Sequence, residues 1–166
     1  GELAARKNTP IQLFVIRCTD RSTGEQLFRQ LYTSLPMHGG DTEPMMNILA
    51  WCDGDSYLSV VIPRSKHRPD CYFSNGDAQR LVSPGALDMA GFIVTPRRED
   101  FEAITSDEAL SILKECGMKQ SEFAETVEKL RTRSNEASQD NHFAGKQPSV
   151  SVGIVSGAKI SFSLNK

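Results

Sequence analysis

A cluster of cationic side chains follows directly on an apolar, β-branched run of the sequence. After the run 60–63 come Arg64, Lys66, His67 and Arg68. Arginine and lysine donate charge-assisted hydrogen bonds to phosphate oxygens, and the planar fork of arginine makes two such bonds at once. The cluster is therefore a candidate phosphate-binding loop. The alternative is a solvated basic loop, because clustered surface charge is common, and these residues by themselves favour that alternative.

The histidines decide whether this chain can supply a nucleophile. The sequence contains three histidines, His38, His67 and His142, and no two of them form a His-x-His pattern. A covalent nucleotidyl-enzyme intermediate requires an imidazole that neighbouring groups hold in place. We therefore predict no catalytic residue here. His67 is a candidate phosphate ligand, with an exposed loop histidine as an equal alternative, and the other two are assigned to a loop and a linker.

Other catalytic patterns are absent from the sequence. It contains no G-x-S-x-G, G-x-G-x-x-G or G-x-x-x-x-G-K-[ST] motif. The four cysteines show neither C-x-x-C pairing nor Cys/His ligand spacing, which predicts reduced and mostly buried thiols. We expect no metal and no cofactor. The acidic pairs Glu99-Asp100 and Asp107-Glu108 stand at helix starts, where the helix dipole favours them, and are assigned structural roles.

The overall composition limits the classes of partner. A net charge of −2 argues against nucleic acid, because neutralising a phosphate backbone requires a strongly basic face. No apolar run approaches the roughly 18 residues of a membrane span, and no signal pattern opens the chain. These observations predict a cytoplasmic protein that binds neither nucleic acid nor membrane. Because the first residue is Gly1 and not methionine, we expect a piece of a longer protein.

The elements that would position the cationic cluster follow from hydrophobic periodicity. The Asp53-Gly54 step between two β-rich runs is a strong hairpin signal. Ser22 and Glu25 form a capping-box pattern at a helix start, and Thr105 caps another helix. The predicted strands are 11–18, 46–51, 57–62 and 91–95. One helix is predicted at 22–35, a second after Thr105, and a third that bears Phe123, Val127 and Leu130. Residues 64–84 are predicted to form a long loop.

A composition change after Leu130 predicts the domain organisation. Residues 131–148 are polar and are interpreted as an exposed linker. Residues 149–166 alternate apolar and polar positions around Ser156-Gly157, which predicts an amphipathic hairpin. We therefore expect an α+β domain at 1–130 with a mainly antiparallel sheet and packed helices. The hairpin either docks on that sheet or opens a second domain.

Three segments, in order, carry a resemblance to a known family. They are 46–49 (MNIL), 60–64 (VVIPR) and 86–94 (ALDMAGFIV). Together they resemble the C-terminal half of diadenosine tetraphosphate phosphorylases and GDP-hexose phosphorylases, within the histidine-triad superfamily. The closest likeness is to an uncharacterised bacterial phosphorylase-like family, and coverage is roughly 11–130. Met46 stands where that pattern has an aromatic residue, and Asp88 stands where it has glycine.

This resemblance implies a function and a set of site residues. It implies a histidine-triad-like half domain that binds a nucleotide or nucleotide-sugar phosphate, with Asn47 and Arg64 near the ligand and Lys66, His67 and Arg68 just beyond. The nucleophile motif of the family is borne by the other half. The chain would thus be the non-catalytic half of a phosphorylase or nucleotidyltransferase, with a missing N-terminal catalytic half as partner and a homodimer possible. For Asn47 the alternative is a strand-end side chain that bonds to nearby backbone.

The tail carries a second resemblance. Residues 148–154 and 160–162 resemble the opening hairpin of a domain similar to sporulation stage II protein D, a family linked to peptidoglycan cleavage or its activation. This implies an alternative function, in which the chain is a binding or scaffolding module without catalysis, coupled to a cell-wall-acting domain downstream. A third alternative is a globular domain whose basic loop is merely solvated.

Overall fold

A five-stranded β-sheet forms the centre of the fold. The computed structural model describes residues 1–7, 9–140 and 151–156. The strands are β1 (Glu2–Lys7), β2 (Leu13–Cys18), β3 (Met46–Asp53), β4 (Ser56–Pro63) and β5 (Ser151–Ser156), in the order β3-β4-β2-β1-β5 across the sheet. Neighbouring strands are antiparallel except β1 and β5, which run parallel. The predicted α+β class with a mainly antiparallel sheet is confirmed.

Five helices of the described residues accompany the sheet. They are α1 (Arg21–Tyr32), α2 (Ala86–Met89), α3 (Arg98–Ala103), α4 (Ser106–Cys116) and α5 (Gln120–Asp140). The predicted long loop at 64–84 contains two short 3-10 turns, Asp70–Phe73 and Gly76–Ala78. Within the described residues, no helix combines the length and the apolar character needed to cross a membrane.

Local signals set where these elements begin. The N-cap of α1 is Asp20, whose Oδ1 accepts a hydrogen bond from the Thr23 amide at 2.8 Å. The predicted capping box of Ser22 is therefore wrong, because an aspartate two residues earlier is a strong cap and also complements the helix dipole. Thr105 caps α4 as predicted, by accepting from the Glu108 amide at 3.2 Å. The predicted β3–β4 hairpin is confirmed.

Alternation along the strands gives the sheet two apolar faces. One face packs against α1 and α5, and the other packs against α2 and α4, so the core lies on both sides of the sheet. Buried residues of the first face include Leu3, Phe14, Ile16, Leu27, Leu31, Val61, Phe123, Val127 and Leu130. Buried residues of the second face are Ile11, Leu13, Ile62, Met89, Leu113 and Cys116. Phe14 and Phe123 lie against each other, with ring centroids 5.0 Å apart.

The strand predicted at 91–95 is not present. Its backbone donors bond locally: the Val94 amide donates to Asp88 Oδ1 at 2.8 Å, and the Phe92 amide donates to the Leu87 carbonyl at 3.1 Å. A segment whose amides are used in this way cannot form a ladder with a neighbouring strand. The prediction was based on apolar composition, which does not show where backbone donors go.

Helix α5 extends beyond its predicted end and into the predicted linker 131–148. Residues 131–140 contain no proline or glycine, so nothing in them stops a helix. Arg133 also fastens this part to the end of α1, because its Nη1 donates to Thr33 Oγ1 at 2.6 Å and to Ser34 Oγ at 2.9 Å. Residues 141–148, including His142, lie outside the described residues.

The first and last strands of the described residues, β1 and β5, lie side by side at one edge of the sheet. Strand β1 was not predicted, because its residues ELAARK are mostly good helix formers and tertiary pairing overrides that preference. The first strand of the predicted C-terminal hairpin is present as β5 and adds to β1, with Leu3 opposite Val152. The second strand, at 160–164, lies outside the described residues. The division of the chain at 130 and 148 stays a prediction.

Candidate functional site

The end of β4 is held between two other elements. The amide of Arg64 donates to the Met45 carbonyl at 2.9 Å, just before β3. The Ser65 amide donates to the Cys116 carbonyl, and the Met118 amide donates to the Pro63 carbonyl, both at 3.0 Å. The backbone from which the cationic cluster departs is therefore fixed to β3 on one side and to the end of α4 on the other.

The side chain of Arg64 points inward. The residue is only 6% exposed. Its Nη1 donates to Asn47 Oδ1 at 3.2 Å and also to the Pro84 carbonyl. Its Nη2 donates to the carbonyls of Lys66 and His67 at 3.0 and 2.7 Å. Both Nη groups are thus engaged within the protein, so the geometry gives Arg64 and Asn47 the role of holding the loop in place.

A buried thiol lies beside this guanidinium. Burial raises the pKa of the Cys116 thiol, and the positive charge and hydrogen bonding of Arg64 oppose that shift. The net direction is upward, so the thiol stays protonated near neutral pH. Cys18 and Cys116 are buried, Cys71 is half-buried and Cys52 is exposed, and all four are free thiols.

The charge of Lys66 is balanced by carboxylates. Its Nζ lies 2.7 Å from Asp70 Oδ1 and is also paired with Glu115. Hydrogen bonds to these two carboxylates raise the pKa of Lys66 above its usual range and lower the pKa of Asp70. With two carboxylates around one ammonium, the group carries no surplus positive charge to offer a ligand.

Arg68 and His67 are exposed beyond this ion group. The guanidinium carbon of Arg68 lies 4.3 Å from the centre of the Tyr72 ring, and its Nε lies 3.4 Å from Ser83 Oγ. No carboxylate of the described residues forms a salt bridge with Arg68. Stacking on Tyr72 restricts the guanidinium plane and leaves its Nη groups free, which is the arrangement required for a bidentate contact with phosphate.

Two concave regions meet at His67. The first has a volume of about 570 Å³ and is bordered by Lys66, His67, Arg68, Asp70, Phe73 and Ser83. The second has a volume of about 470 Å³, and its lining includes Phe28, Tyr32, Asp41, Glu43, Met46 and His67. We call them the basic cavity and the acidic cavity. Three of the five residues predicted for the site, Lys66, His67 and Arg68, therefore border one cavity.

The turn after α2 is closed by a specific pattern of backbone bonds. The Phe92 amide donates to the Leu87 carbonyl at 3.1 Å and the Gly91 amide donates to the Asp88 carbonyl at 2.9 Å. This is a Schellman cap, and it places Gly91 at a φ of 105°. Asp88 closes the turn further, because Oδ2 accepts from Gly85 and Oδ1 from Val94, both at 2.8 Å.

Arg64 brings together the three segments singled out in the sequence. Arg64 itself belongs to the segment 60–64. Its side chain donates a hydrogen bond to Asn47 of the segment 46–49. It donates another to the carbonyl of Pro84, which lies two residues before the segment 86–94. The model of the family described as GDPGP1-like, C-terminal domain matches residues 48–136. The chain belongs to this family. Its GDPGP1-like domain is related to phosphorylases and is similar to the C-terminal region of GDP-hexose phosphorylases.

The family match spans most of the site. The matched residues 48–136 contain β4, α2, α3, α4 and every residue that borders the basic cavity. Asn47 precedes the matched region. So do the residues of the acidic cavity from Phe28 to Met46. Searches of curated proteins and of solved structures gave no match. The relationship to GDPGP1-like proteins therefore rests on the family model and on the three segments that Arg64 joins.

Several residues in and around the basic cavity were not predicted from the sequence. Tyr72 and Ser83 contact Arg68, and Glu115 of α4 pairs with Lys66. The sequence offered no usable signal for these contacts, because residues 64–69 are not helical and the partners are distant along the chain. Within residues 1–7, 9–140 and 151–156, no three side chains of the His, Cys, Asp or Glu type are grouped closely enough to hold a metal ion.

Proposed function

We propose that this GDPGP1-like domain is the non-catalytic half of a nucleotide or nucleotide-sugar phosphorylase or nucleotidyltransferase, and that it contributes phosphate and nucleotide binding. A nucleotide-sugar phosphate ligand is consistent with the family match. The observation that carries the proposal is Arg68: its guanidinium is fixed over Tyr72 at the rim of the basic cavity and has no carboxylate partner in the described residues.

The five predicted site residues divide into two roles. Arg68 and His67 face the basic cavity and would contact phosphate oxygens directly. Arg64 would act from beneath, by donating to the carbonyls of Lys66 and His67 so that the loop keeps its shape, and Asn47 would hold Arg64 by accepting from its Nη1. Lys66 would contribute to the wall of the cavity, since its charge is already balanced by Asp70 and Glu115.

The nucleophile of the reaction would come from elsewhere. The sequence contains no closely spaced histidines. His67, which borders the basic cavity, is exposed on a loop, and no described side chain aligns it. An N-terminal catalytic half would therefore complete the active site. A homodimer and a cytoplasmic location stay predictions.

Calorimetric titration with a GDP-hexose and with a dinucleoside polyphosphate tests the proposal. Replacing Arg68→Ala removes a charge-assisted bidentate contact, so affinity should fall by about 10-fold or more, the equivalent of about 1.5–3 kcal/mol. Arg98→Ala is the matched control, because Arg98 is an exposed arginine on α3 whose one ion-pair partner among the described residues is Glu102. Equal affinity of wild type and Arg68→Ala, or no heat from either ligand at millimolar concentration, would contradict the proposal.

The alternative is a scaffolding module coupled to a peptidoglycan-acting domain. It requires residues 149–166 to open a separate domain. Strand β5, which lies in that stretch, pairs along its whole length with β1 of the present sheet. This pairing favours the incorporation of residues 151–156 into the phosphorylase-like domain, and we therefore prefer the ligand-binding function. The likeness of the tail to sporulation stage II protein D stays a prediction.

A further inference from the structure

We propose that Lys66 is a second phosphate-contacting residue of the basic cavity, and that a ligand phosphate displaces the Asp70 carboxylate that pairs with its ammonium. The inference deepens the proposed function and rests on it, because it adds a contact to the same phosphate that Arg68 binds. Lys66 thereby changes from a residue of the cavity wall to a residue that binds ligand, and Asp70 becomes an internal competitor of the ligand.

The two carboxylates at Lys66 are held differently. The side chain of Glu115 is 33% exposed, and its Oε1 accepts from the Asp70 amide at 2.8 Å in addition to pairing with Lys66. The side chain of Asp70 is 92% exposed, and the one ion-pair partner of its carboxylate among the described residues is Lys66, at 2.7 Å. Glu115 is therefore fixed to the loop by two contacts, whereas rotation of one short, exposed side chain releases Asp70 from the ammonium.

The contact between Lys66 and Asp70 lies at the border of the basic cavity. Both residues border that cavity together with Arg68. A carboxylate and a phosphate present the same kind of charged acceptor oxygen to an ammonium. The Asp70 carboxylate therefore marks a position beside Lys66 at which the protein already accepts an anion, on the border that Lys66 shares with Arg68.

Electrostatics favour the exchange of Asp70 for phosphate. An ion pair between exposed groups contributes little, because water solvates both partners and two side chains lose freedom. A phosphate group carries more negative charge than a carboxylate and has more acceptor oxygens, so it attracts the ammonium more strongly and can also contact Arg68. Hydrogen bonds to the two carboxylates raise the pKa of Lys66, so its ammonium is charged throughout the neutral pH range.

Lys66 can exchange one partner and keep the other. Its ammonium has three N–H donors on a flexible stem. When Asp70 leaves, Glu115 of α4 retains one donor and keeps the ammonium at the cavity, while the other donors become available to phosphate oxygens. The bound phosphate then lies between the Lys66 ammonium and the Arg68 guanidinium.

A double-mutant cycle with pyrophosphate as the probe tests the exchange. Calorimetric titration compares the wild type, Asp70→Asn, Lys66→Gln and the double variant. Asp70→Asn should raise affinity by about 3-fold, because the ligand no longer has to displace a carboxylate from the ammonium. Lys66→Gln should lower affinity by about 5-fold or more. In the Lys66→Gln background, Asp70→Asn should change affinity by less than about 1.5-fold, since no ammonium is left to release.

A charge-matched control separates the exchange from a general change in the electrostatic field. Asp77→Asn removes the same charge from an exposed position of the same loop, outside the residues that border the basic cavity, and should change affinity by less than about 1.5-fold. An equal gain from Asp70→Asn in the wild type and in Lys66→Gln, or no gain in the wild type, would overturn the exchange alone. Failure of the wild type to bind millimolar pyrophosphate would overturn the proposed function itself.

Discussion

At the scale of single residues, the most consequential group is the buried guanidinium of Arg64. It has no carboxylate partner in the described residues, and its charge is instead solvated by the carbonyls of Lys66, His67 and Pro84 and by Asn47 Oδ1. Carbonyl dipoles arranged around a cation replace the water that burial removes. The cation in turn fixes the positions of those carbonyls, and so fixes the loop that presents Arg68.

Replacement of Arg64 should therefore affect stability as well as binding. Arg64→Ala leaves the buried Pro84 carbonyl without this donor, and an unsatisfied buried group costs about 1–3 kcal/mol; the carbonyls of Lys66 and His67, which are half-buried, lose their donor as well. The free energy of unfolding, measured by urea denaturation, should fall by at least that amount. Arg68→Ala should change it by less than about 0.5 kcal/mol, because an exposed side chain is removed. Equal stabilities of the two variants would contradict a positioning role for Arg64.

Among the elements, the turn after α2 depends on two residues of the segment 86–94. Gly91 is required because the Schellman cap places it at positive φ, where an L side chain is strained. Asp88, at the position where the sequence resemblance led us to expect glycine, accepts from the amides of Gly85 and Val94. The aspartate therefore satisfies backbone donors on both sides of the turn.

The turn makes a prediction about glycine replacement. Gly91→Ala should lower the free energy of unfolding by about 1–2 kcal/mol, because alanine at positive φ places its Cβ against the backbone. Gly39→Ala is the matched control: Gly39 has ordinary φ and no atom within 4 Å of an added Cβ. Its stability should be unchanged or slightly higher. Thermal unfolding of both variants checks this, and equal losses of stability would count against the Schellman geometry.

A buried carboxylate ties the loop before α2 to α3. Asp100 is 1% exposed, and its oxygens accept from Arg97 Nε and Nη2 at 2.9 and 2.8 Å and from the Leu81 amide at 3.1 Å. The hydrogen bonds from Arg97 lower the pKa of Asp100 below its ordinary value of 3.8. A lowered folded-state pKa means that this carboxylate stabilises the fold fully above pH 3.8 and loses that contribution as the pH falls through the folded-state value.

Asp100→Asn should therefore show a pH-dependent deficit. Near pH 7 the variant should be less stable than wild type by about 1–3 kcal/mol, since the ionised acceptor of three hydrogen bonds is gone. The difference should shrink as the pH falls from 3.8 towards the lowered folded-state pKa, below which Asp100 of the folded wild type is protonated as well. Urea denaturation at a series of pH values measures it. A difference that stayed constant or grew in acid would show that the carboxylate charge is not the stabilising feature.

At the scale of the whole molecule, sequence patterns predicted the elements that depend on local signals. The β3–β4 hairpin follows from its Asp-Gly turn, and α4 follows from its threonine cap. Strand β1 and the extension of α5 depend on contacts with distant residues, which no local pattern reveals. In β1, Leu3 pairs with Ile16 of β2, and in α5, Arg133 donates a hydrogen bond to Thr33. These differences show where tertiary pairing overrides intrinsic preference.

The sequence predicted which residues form the candidate site, but it did not predict how their side chains are arranged. The sequence identifies four basic residues next to a strand end, but it does not show that Arg64 turns inward or that Glu115 of α4 pairs with Lys66. Those facts depend on which distant segments pack against the loop. The sequence indicated three cations and a histidine on one loop, whereas in the structure only the guanidinium of Arg68 lacks a partner among the described carboxylates and carbonyls, on a loop held by Arg64.

Anion binding at Arg68 can be located on the protein by amide chemical shifts. They should be recorded for the ¹⁵N-labelled domain during titration with pyrophosphate. We expect the largest changes at Lys66, His67, Arg68 and Ser83, and we expect them to disappear in Arg68→Ala while the rest of the spectrum is retained. Changes confined to residues outside the basic cavity, or no changes at millimolar pyrophosphate, would contradict it.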